Sequence, residues 1–564
     1  MISKHCLSSV IPIIHDLSQV RLRSLASSVE KDLTRPPQVI STPLWCPLPG
    51  VRIWGLGRVL CVTEQHRGLQ EVRVDAQTPL ATISEFGSTD RLYRRRATVE
   101  ALPDDVLLEI FIFYLDDTHR EDFDAWHPLV HVCNRWRHVV FASPRRLNLR
   151  LSCTERRPVR KMLGIWPALP VVIWNTVTLD STLLVEGAKN IIAALEHNDR
   201  VCEIFLEGSP NWIFERLAAE MEGPFPSLTS LALLSRDEPA PVLPESFLGK
   251  SAPRLRSLRL NNMPTPLLRK LPLIASDLVE LSLWHIPDSV YVSPKAMATC
   301  LARLTALRLV SLRFHSPQSR PKSTSRRRPP LTRVVLPSLV SCRFHGVGEY
   351  LEDFVAQIDV PLLDRFEIIF FNQLLFHTPQ ILQFLSRAET LNTINQATVV
   401  FLNDMVAIIL SQKTETVNHT GLSVAISCTQ SDWQLSSLAQ ICVSSLPHLS
   451  TLERLVIHEG RRRPPAWQDD MENRQWLELL QPFAAVKDLY LSKQVALRVA
   501  PILQGISTET TPEVLPALQT FFLEESQAPE PIQEGIGHFV AVRQLSGHPV
   551  AIHDWERGKE PDYL

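Results

Sequence analysis

A short leucine-centred motif recurs along the chain from residue 225 onward and constrains its fold more than any other feature. Its general form is Pro-x-Leu-x-x-Leu-x-Leu, and nine segments follow it closely, one of them with an extra step. These segments are FPSLTSLAL at 225, APRLRSLRL at 252, ASDLVELSL at 275, LARLTALRL at 301, LPSLVSCRF at 336, VPLLDRFEI at 360, LPHLSTLERLVI at 446, FAAVKDLYL at 483 and LPALQTFFL at 515. The last three positions alternate apolar, variable, apolar, as a strand buried on one face requires. Because one copy cannot bury its own leucines, the copies are expected to stack into an array with a continuous core.

The spacing of the copies is typical of leucine-rich repeats. They start about 23 to 37 residues apart, with helix-like segments between them, as at 183–198 and 350–358. No copy carries the regular asparagine of the standard consensus after its strand, so we expect an irregular solenoid over 165–545 without neat asparagine ladders. Residues 370–445 fit poorly, and LNTINQATVVFL at 391 is interpreted as one degraded repeat. The alternative is a chance pattern in an ordinary α/β protein.

Composition indicates an ordinary globular protein. Of 564 residues, 45% are apolar and 21% are charged, and a net charge of -2 offers no general attraction to nucleic acid or an anionic membrane. The ten cysteines are scattered without C-x-x-C spacing, which predicts reduced core cysteines rather than zinc clusters or disulfides. No secretory signal and no run of eighteen apolar residues is found. A cytoplasmic or nuclear location, or both, is therefore expected.

Motifs that carry catalysis are missing from the sequence. It contains no Walker A loop, no H-E-x-x-H and no G-x-S-x-G, and its short glycine pairs at 55 and 346 lack the third glycine of a dinucleotide fingerprint. We therefore predict that the chain is not an enzyme and has no catalytic residues, no metal site and no cofactor.

Two apolar helical segments lie between residues 98 and 150. In ALPDDVLLEIFIFYL at 101, Pro103 suits a first helical turn, and Asp104 and Asp105 complement the positive end of the helix dipole. The residues that follow at i, i+3, i+4 and i+7 predict one apolar stripe, made of Leu107, Ile110, Phe111 and Tyr114. WHPLVHVCNRWRHVVFASPRRL at 126 repeats this spacing and ends at a proline that cannot continue a helix. Residues 1–97 are predicted to be poorly defined and partly disordered, and we assign them no function.

Together these segments resemble an F-box, the module through which a substrate receptor docks on the Skp adaptor of a cullin-based ubiquitin ligase. The resemblance lies in LPDDVLLEIFIFYL, in a W…L…VC..WR middle and in ASPRRL, although PRRLNL stands where the usual tryptophan follows. Many fungal F-box proteins continue with irregular leucine-rich repeats. The resemblance implies that the adaptor contacts are Leu102, Pro103, Val106, Ile110, Phe111, Leu115, Val132, Cys133 and Trp136, with Trp136 as the largest anchor. The alternative is a self-contained helical hairpin whose Trp126 and Trp136 fill its own core.

The predicted fold class is therefore α/β, with an N-terminal helical F-box at 98–150, an irregular leucine-rich-repeat solenoid at 165–545 and a C-terminal tail at 546–564. The resemblance implies the substrate-recognition subunit of a Skp–cullin–F-box ubiquitin ligase, which holds an unknown protein substrate near the conjugating enzyme and performs no chemistry. Its expected partners are a Skp-family adaptor and, through it, a cullin. A leucine-rich-repeat scaffold without a role in ubiquitylation is the alternative. Neither nucleic acid nor a membrane is an expected partner.

The variable residue between the last two apolar positions of the motif points away from the core. Three copies place arginine there, namely Arg259, Arg308 and Arg343, and two copies place Trp284 and His345 two residues further on. These five residues are the predicted substrate-binding strip, suited to an acidic or phosphorylated segment, and the alternative is a solvated surface. The basic insert at 315–333 has no acidic residue and is predicted to be disordered. It is interpreted as a nuclear-import patch, a phosphorylation loop or a plain surface loop.

Overall fold

The computed structural model divides the chain into two compact units, residues 1–149 and 150–564. It describes residues 102–556, apart from 118–123, 155–158, 177–180, 236–240, 242, 264–267, 269, 288–290, 317–331, 372–377, 389, 392–393, 413–420, 429–430, 445, 447–448, 462–463, 466, 468–472, 507–513 and 525–529. The predicted N-terminal region 1–97 and most of the predicted insert 315–333 lie outside the described residues. In the described part of the chain, no helix combines the length and apolar character needed to cross a bilayer.

The first unit is helical and contains α1 (Asp104–Asp117), α2 (His127–Val132) and α3 (Asn134–Ala142). Pro103 directly precedes α1, as its position in the sequence predicted. Its carbonyl accepts hydrogen bonds from the N–H groups of Val106 and Leu107. The extended backbone of Cys133 separates α2 from α3, and its Sγ accepts a hydrogen bond from the N–H of Trp136. This thiol therefore caps the N-terminus of α3.

The second unit is built on one long sheet. Its strands are β1 (Leu151–Cys153), β2 (Val171–Thr176), β3 (Val201–Glu207), β4 (Ser230–Leu234), β5 (Ser257–Asn261), β6 (Glu280–Ile286), β7 (Leu309–Phe314), β9 (Ser341–Gly346), β11 (Arg365–Phe371), β12 (Gln396–Phe401), β13 (Met405–Ser411), β14 (Gly421–Ser427), β15 (Arg454–Glu459), β16 (Asp488–Leu491), β17 (Thr520–Glu524) and β18 (Ala551–Trp555). Their order is β1-β2-β3-β4-β5-β6-β7-β9-β11-β14-β13-β12-β15-β16-β17-β18, and only the pairs made by β13 are antiparallel. β8 (Val334–Val335) and β10 (Ile358–Asp359) form a separate parallel pair.

Helices lie in the connections between these strands, since neighbouring parallel strands need a crossover. They are α4 (Val159–Ile165), α5 (Ser181–Leu195), α6 (Asn211–Glu220), α7 (Leu271–Ile274), α8 (Pro294–Leu301), α9 (Gly348–Val355), α10 (Pro379–Arg387), α11 (Ser431–Ser444), α12 (Asn473–Leu480), α13 (Lys493–Ile506) and α14 (Glu530–Leu545), with 3₁₀ turns at Phe247–Lys250 and Leu449–Thr451. The predicted α/β class is confirmed, and the structure adds that the sheet is long and mostly parallel.

A repeated turn explains why prolines precede the strands. In eight copies the backbone N–H of the first motif leucine, or its equivalent, donates to the carbonyl three residues earlier, over 3.0–3.4 Å. In the turn from Phe225 to Leu228, Pro226 fills the second position, which its fixed φ favours. The full motif is thus apolar-x-x-Leu-x-x-Leu-x-Leu, and the segment at 446 has this common form rather than an extra step.

The buried motif positions align from strand to strand into a continuous core. One row in register across β4 to β11 consists of Leu231, Leu258, Leu281, Val310, Cys342 and Phe366. None of these side chains is more than 4% exposed. Each residue inside a row is therefore covered on both sides by the equivalent residues of the neighbouring strands, which is how the stacked copies bury their leucines.

The copy at 301 is shifted by three residues from its predicted register. Its turn runs from Leu304 to Leu307, and Val310 and Leu312 align with the buried rows of β6. The prediction was wrong here because leucines recur every three residues and fit two frames, while Leu301 belongs to the end of α8.

The segment LNTINQATVVFL supplies one strand of the sheet, and residues 370–445 contain two further strands that the motif does not predict. QATVVF forms β12, but β13 and β14 follow it, and the three strands make an antiparallel meander inside the sheet. β14 pairs with β11 and β12 pairs with β15, so the chain fills these three positions in reverse order. Gly421 starts β14 at φ +141°, where an added Cβ would lie 2.1 Å from the carbonyl oxygen of Leu410. β13 and β14 carry no turn-and-leucine signal, which is why the motif did not predict them.

The sheet also extends beyond the predicted bounds of 165–545. Residues 151–153 form β1, and residues 551–555, in the predicted tail, form β18 beside β17. Terminal repeats of an array cover the core on one side only and depart from the motif. Polar contacts after strands β2 to β5 are mixed, as predicted for an irregular array: Asn175 Nδ2 donates to Ser209 Oγ, Ser235 Oγ to Asn211 Oδ1, and Asn261 Nδ2 to the Ser235 carbonyl.

Candidate functional site

One face of α1 carries an apolar stripe that reaches solvent. Val106, Ile110 and Phe113 stand at i, i+4 and i+7 and so share this face, which we call the α1 stripe. Ile110 is 43% exposed and Phe113 is 46% exposed, while Val106 is half-buried. Phe113 was not among the predicted adaptor contacts, although its spacing from Val106 and Ile110 indicates the shared face.

An adjacent face of α1 builds the core of the helical unit. Leu107 and Phe111 are fully buried, and the ring of Phe111 packs on Trp136 with centroids 4.8 Å apart. Trp136 is only 8% exposed. Phe111 and Trp136 are therefore core residues of the helical unit rather than exposed interface anchors. For Trp136 this agrees with the alternative of a self-contained helical hairpin. The predicted single stripe is split between two faces, because consecutive residues such as Ile110 and Phe111 lie about 100° apart around a helix.

The other predicted adaptor contacts lie at partly accessible positions. Leu102, Leu115, Val132 and Cys133 are half-buried, and Pro103 is exposed. These positions supplement the α1 stripe without forming a second large apolar surface.

Arg135 joins the start of α1 to the start of α3. Its Nε and Nη2 lie 2.9 and 2.7 Å from Oδ1 of Asp104, and Nη2 also donates to the carbonyl of Leu102. Asp104 therefore has a structural partner in addition to its favourable place at the helix N-terminus.

The open face of the sheet, which carries the variable motif positions, holds two of the three predicted arginines. Arg259 and Arg343 stand in one cross-strand row, in register with Ser282 and Ser311 of the strands between them. Arg308 lies before β7 with its side chain exposed, so its predicted place in this row was wrong.

The two arginines of this row are neutralised within the sheet. Arg259 pairs with Glu280 at 3.4 Å, and Arg343 pairs with Glu367 at 3.0 Å. The continuous basic strip that the sequence predicted is therefore not formed. The register shift at 301 instead brings Arg313 onto the open face, in register with His345.

A β-bulge brings further polar side chains to Arg313. Leu283 aligns with Leu312 and Ile286 with Phe314, so Trp284 and His285 together oppose the single residue Arg313. His285 adopts φ +47°, in the left-handed region that non-glycine residues rarely occupy. Such backbone strain persists only where the surrounding structure enforces it, and it is common at functional sites.

We call Arg313, His285, His315 and His345 the histidine–arginine cluster. The rings of His285 and His315 have centroids 6.0 Å apart, and Nδ1 of His285 lies 2.6 Å from Oδ1 of Asn261. Beside the cluster, Nε1 of Trp284 donates to Oγ of Ser311 at 3.1 Å, which holds the predicted Trp284 on the open face.

His345 is the most constrained member of the cluster. Its ring packs on Phe371 with centroids 4.7 Å apart, and neither buried ring nitrogen has a hydrogen-bond partner among the described residues. Burial, together with the charges of Arg313 and His285, lowers the pKa of His345 to about 4. Burial and the charges of Arg313 and His315 also lower the pKa of His285. Both imidazoles are therefore neutral at pH 7, in a positive electrostatic field.

Aromatic rings line the open face toward β18. Tyr490 and Phe522 stack in register with centroids 4.2 Å apart, and Trp555 lies 5.5 Å from Tyr490. The guanidinium of Arg454 lies 5.0 Å from the Tyr490 ring centroid. Tyr490 and Phe522 occupy the variable position of their motif copies, and half-buried aromatic residues of this kind are common in protein interfaces.

Within the described ranges, no group of three or more His, Cys, Asp or Glu side chains is placed to hold a metal ion. The seven described cysteines are free and five are buried, and burial raises the pKa of Cys153 and Cys342 to about 12. The five buried thiols are therefore core residues, whereas Cys133 and Cys202 are half-buried.

Comparisons with known proteins assign no family to the chain. No family model matches it, and no curated protein matches it. Among solved structures it is similar to the leucine-rich repeat-containing protein LegL7 from Legionella pneumophila, with a TM-score of 0.26 and 12% identity, covering 69% of this chain and 97% of that chain. Similarity at this level carries no argument about function.

Proposed function

We propose that the chain is an F-box protein with irregular leucine-rich repeats, and that it acts as the substrate-recognition subunit of a Skp–cullin–F-box ubiquitin ligase. In this proposal the helical unit binds a Skp-family adaptor, and the open face of the sheet binds a protein substrate. The observation that carries the proposal is the α1 stripe, since α1 buries one apolar face and leaves Ile110 and Phe113 of another face nearly half exposed.

The geometry of the α1 stripe suits docking against foreign helices. Anchors at i, i+4 and i+7 are the pattern by which one helix packs into an apolar groove of a partner. Burying the exposed parts of Ile110 and Phe113 supplies a few kcal/mol, at about 25 cal/mol per Å² of apolar surface. The F-box resemblance of residues 102–147 supplies the identity of the partner, a Skp-family adaptor.

The long sheet supports the receptor half of the proposal. Its open face displays charged, polar and aromatic side chains across many strands, from Arg259 to Phe522. A surface of this kind binds a protein without chemistry of its own. It accelerates ubiquitin transfer by raising the effective concentration of substrate lysines near the conjugating enzyme.

The adaptor half is tested by binding of the purified full-length chain to a Skp-family adaptor. Ile110→Glu places a charge in the α1 stripe, and we expect it to weaken adaptor binding by about 2 kcal/mol or more, as for an interface hot spot. Ile165→Glu is the matched control, because Ile165 is 61% exposed at the end of α4. Calorimetry should show a stoichiometric complex for the parent and for Ile165→Glu, and a weakened one for Ile110→Glu.

A parent chain that does not bind the adaptor, or equal binding by both variants, contradicts the proposal. Trp136→Ala is an unsuitable test because Trp136 belongs to the core of the helical unit. Assembly of the adaptor-bound chain with a cullin, followed by ubiquitin transfer, then separates a ligase subunit from a leucine-rich-repeat scaffold that binds the adaptor alone.

A further inference from the structure

We propose that the histidine–arginine cluster is an anion subsite that binds a phosphate group carried by a protein partner. The inference deepens the proposed function, on which it rests for the identification of the ligand as a polypeptide. It also replaces the predicted strip of Arg259, Arg308 and Arg343 with a different set of side chains.

Arg313 supplies the fixed positive charge of the subsite. It is exposed on the open face, and within the described ranges no carboxylate forms an ion pair with it. The two other arginines of this part of the face, Arg259 and Arg343, already hold Glu280 and Glu367. An incoming anion therefore meets Arg313 without first displacing a carboxylate of the described residues.

The imidazoles supply further donors next to that charge. The bulge in β6 brings His285 opposite Arg313, and the pairing of β7 with β9 brings His345 beside it. His345 has two buried ring nitrogens without partners among the described residues, and a buried polar group in that state has unused capacity to hydrogen-bond a ligand. Burial and the charge of Arg313 both oppose protonation of His285 and His345, and a bound anion would offset the second of these effects.

The number of donors favours phosphate over carboxylate. A carboxylate offers two oxygens, whereas a phosphorylated side chain offers three strong acceptor oxygens and up to two negative charges. Arg313 can donate two hydrogen bonds and the neutral imidazole of His345 one, which matches three acceptor oxygens. A nucleic acid is a poorer match, because successive phosphates need a continuous run of cations, and Arg259 and Arg343 are neutralised.

The subsite is tested with inorganic phosphate as the probe, on the full-length chain with ¹³C-labelled histidine rings. At pH 7.5 and constant ionic strength, phosphate should shift the ring signals of His285 and His345 saturably, whereas chloride and acetate should not. The signals are assigned with His285→Asn and His345→Asn. Arg313→Gln should weaken the phosphate response about tenfold, the effect of losing one charge-assisted hydrogen bond.

Arg254→Gln is the matched control, since Arg254 is exposed in the turn before β5 and lies outside the cluster. It should leave the response unchanged, and Arg313→Lys should retain most of it. An unchanged response in Arg313→Gln overturns the proposal, and an equal response to acetate overturns the choice of phosphate. Adaptor binding measured on the same preparations keeps the two questions separate, because it depends on the α1 stripe and not on Arg313.

Discussion

The helical unit and the sheet unit treat their apolar residues differently. In the sheet unit, the motif leucines of neighbouring strands stand in register, and residues such as Leu281 and Val310 are fully buried. In the helical unit, α1 is apolar on two faces, and only the face with Phe111 is covered by the unit itself. The motif positions of the array are thus covered by residues of the neighbouring strands, whereas α1 presents apolar side chains that a partner can cover.

This difference follows from the amount of structure available to each unit. A repeat array gains two neighbours for every internal strand, so a leucine at a motif position is always covered. The described part of the helical unit, 102–149, buries a smaller fraction of its surface and does not cover both apolar faces of α1. In the helical unit, an exposed apolar stripe therefore indicates an interface. In the array, the same exposure would indicate an error of register.

The largest effect is expected from a cavity inside the array. Leu281→Ala removes a fully buried side chain between Leu258 and Val310, and we expect the free energy of unfolding to fall by about 3 kcal/mol. Leu273→Ala is the control, because Leu273 is 78% exposed, and it should change stability by less than about 0.5 kcal/mol. Urea unfolding followed by circular dichroism measures both changes. Equal losses of stability would contradict the difference in burial between Leu281 and Leu273.

A smaller loss is expected where one helix of the array is tied to the next. The buried carboxylate of Glu352 in α9 accepts hydrogen bonds from the N–H groups of Gln380 and Ile381, at the start of α10, over 3.0 and 2.9 Å. Glu352→Ala leaves these donors unsatisfied, and we expect a loss of about 2 kcal/mol. Glu215→Ala, on the exposed side of α6, should have little effect in the same urea titration.

A pH dependence should come from His345 in the open face of the array. Its pKa of about 4 in the folded chain lies below the usual value of 6.5, so the unfolded chain takes up the proton first as the pH falls. The free energy of unfolding should therefore decrease between pH 6.5 and pH 4. His345→Phe removes this titration, and thermal unfolding across that range should show a shallower pH slope than in the parent. A slope identical to that of the parent would show that His345 is not the group responsible.

The smallest effect on stability is expected at the α1 stripe. Ile110→Ala removes a side chain that is already 43% exposed, so the isolated chain should lose less than about 1 kcal/mol. The same change should weaken adaptor binding, because the complex buries what the free chain exposes. A large loss of stability in thermal unfolding would mean that Ile110 belongs to the core of the helical unit and not to its surface.

The sequence predicted the array wherever the motif could be read in one frame. Proline turns and alternating leucines located most of the parallel strands, because burial on one face imposes a period of two. It failed at Arg308, where leucines fit two frames, and at β13 and β14, where antiparallel neighbours replace the turn signal with plain apolar alternation.

The sites were harder to predict than the strands. A β-bulge at His285 and a register shift at Arg313 decide which side chains meet on the open face, and neither leaves a mark in the spacing of the motif. On α1, the helical period indicated an apolar stripe, but choosing between the faces of Phe111 and Ile110 required knowing where Trp136 packs.

Hydrogen–deuterium exchange of the full-length chain, with and without a Skp-family adaptor, tests the central claim most directly. We expect the adaptor to slow exchange in the helical unit, over 104–117 and 127–142, and to leave the exchange rates of the strands of the array unchanged. The same measurement on Ile110→Glu should show little protection at equal adaptor concentration. Protection confined to the array, or none in the helical unit at saturating adaptor, would contradict the claim that the α1 stripe is the docking surface.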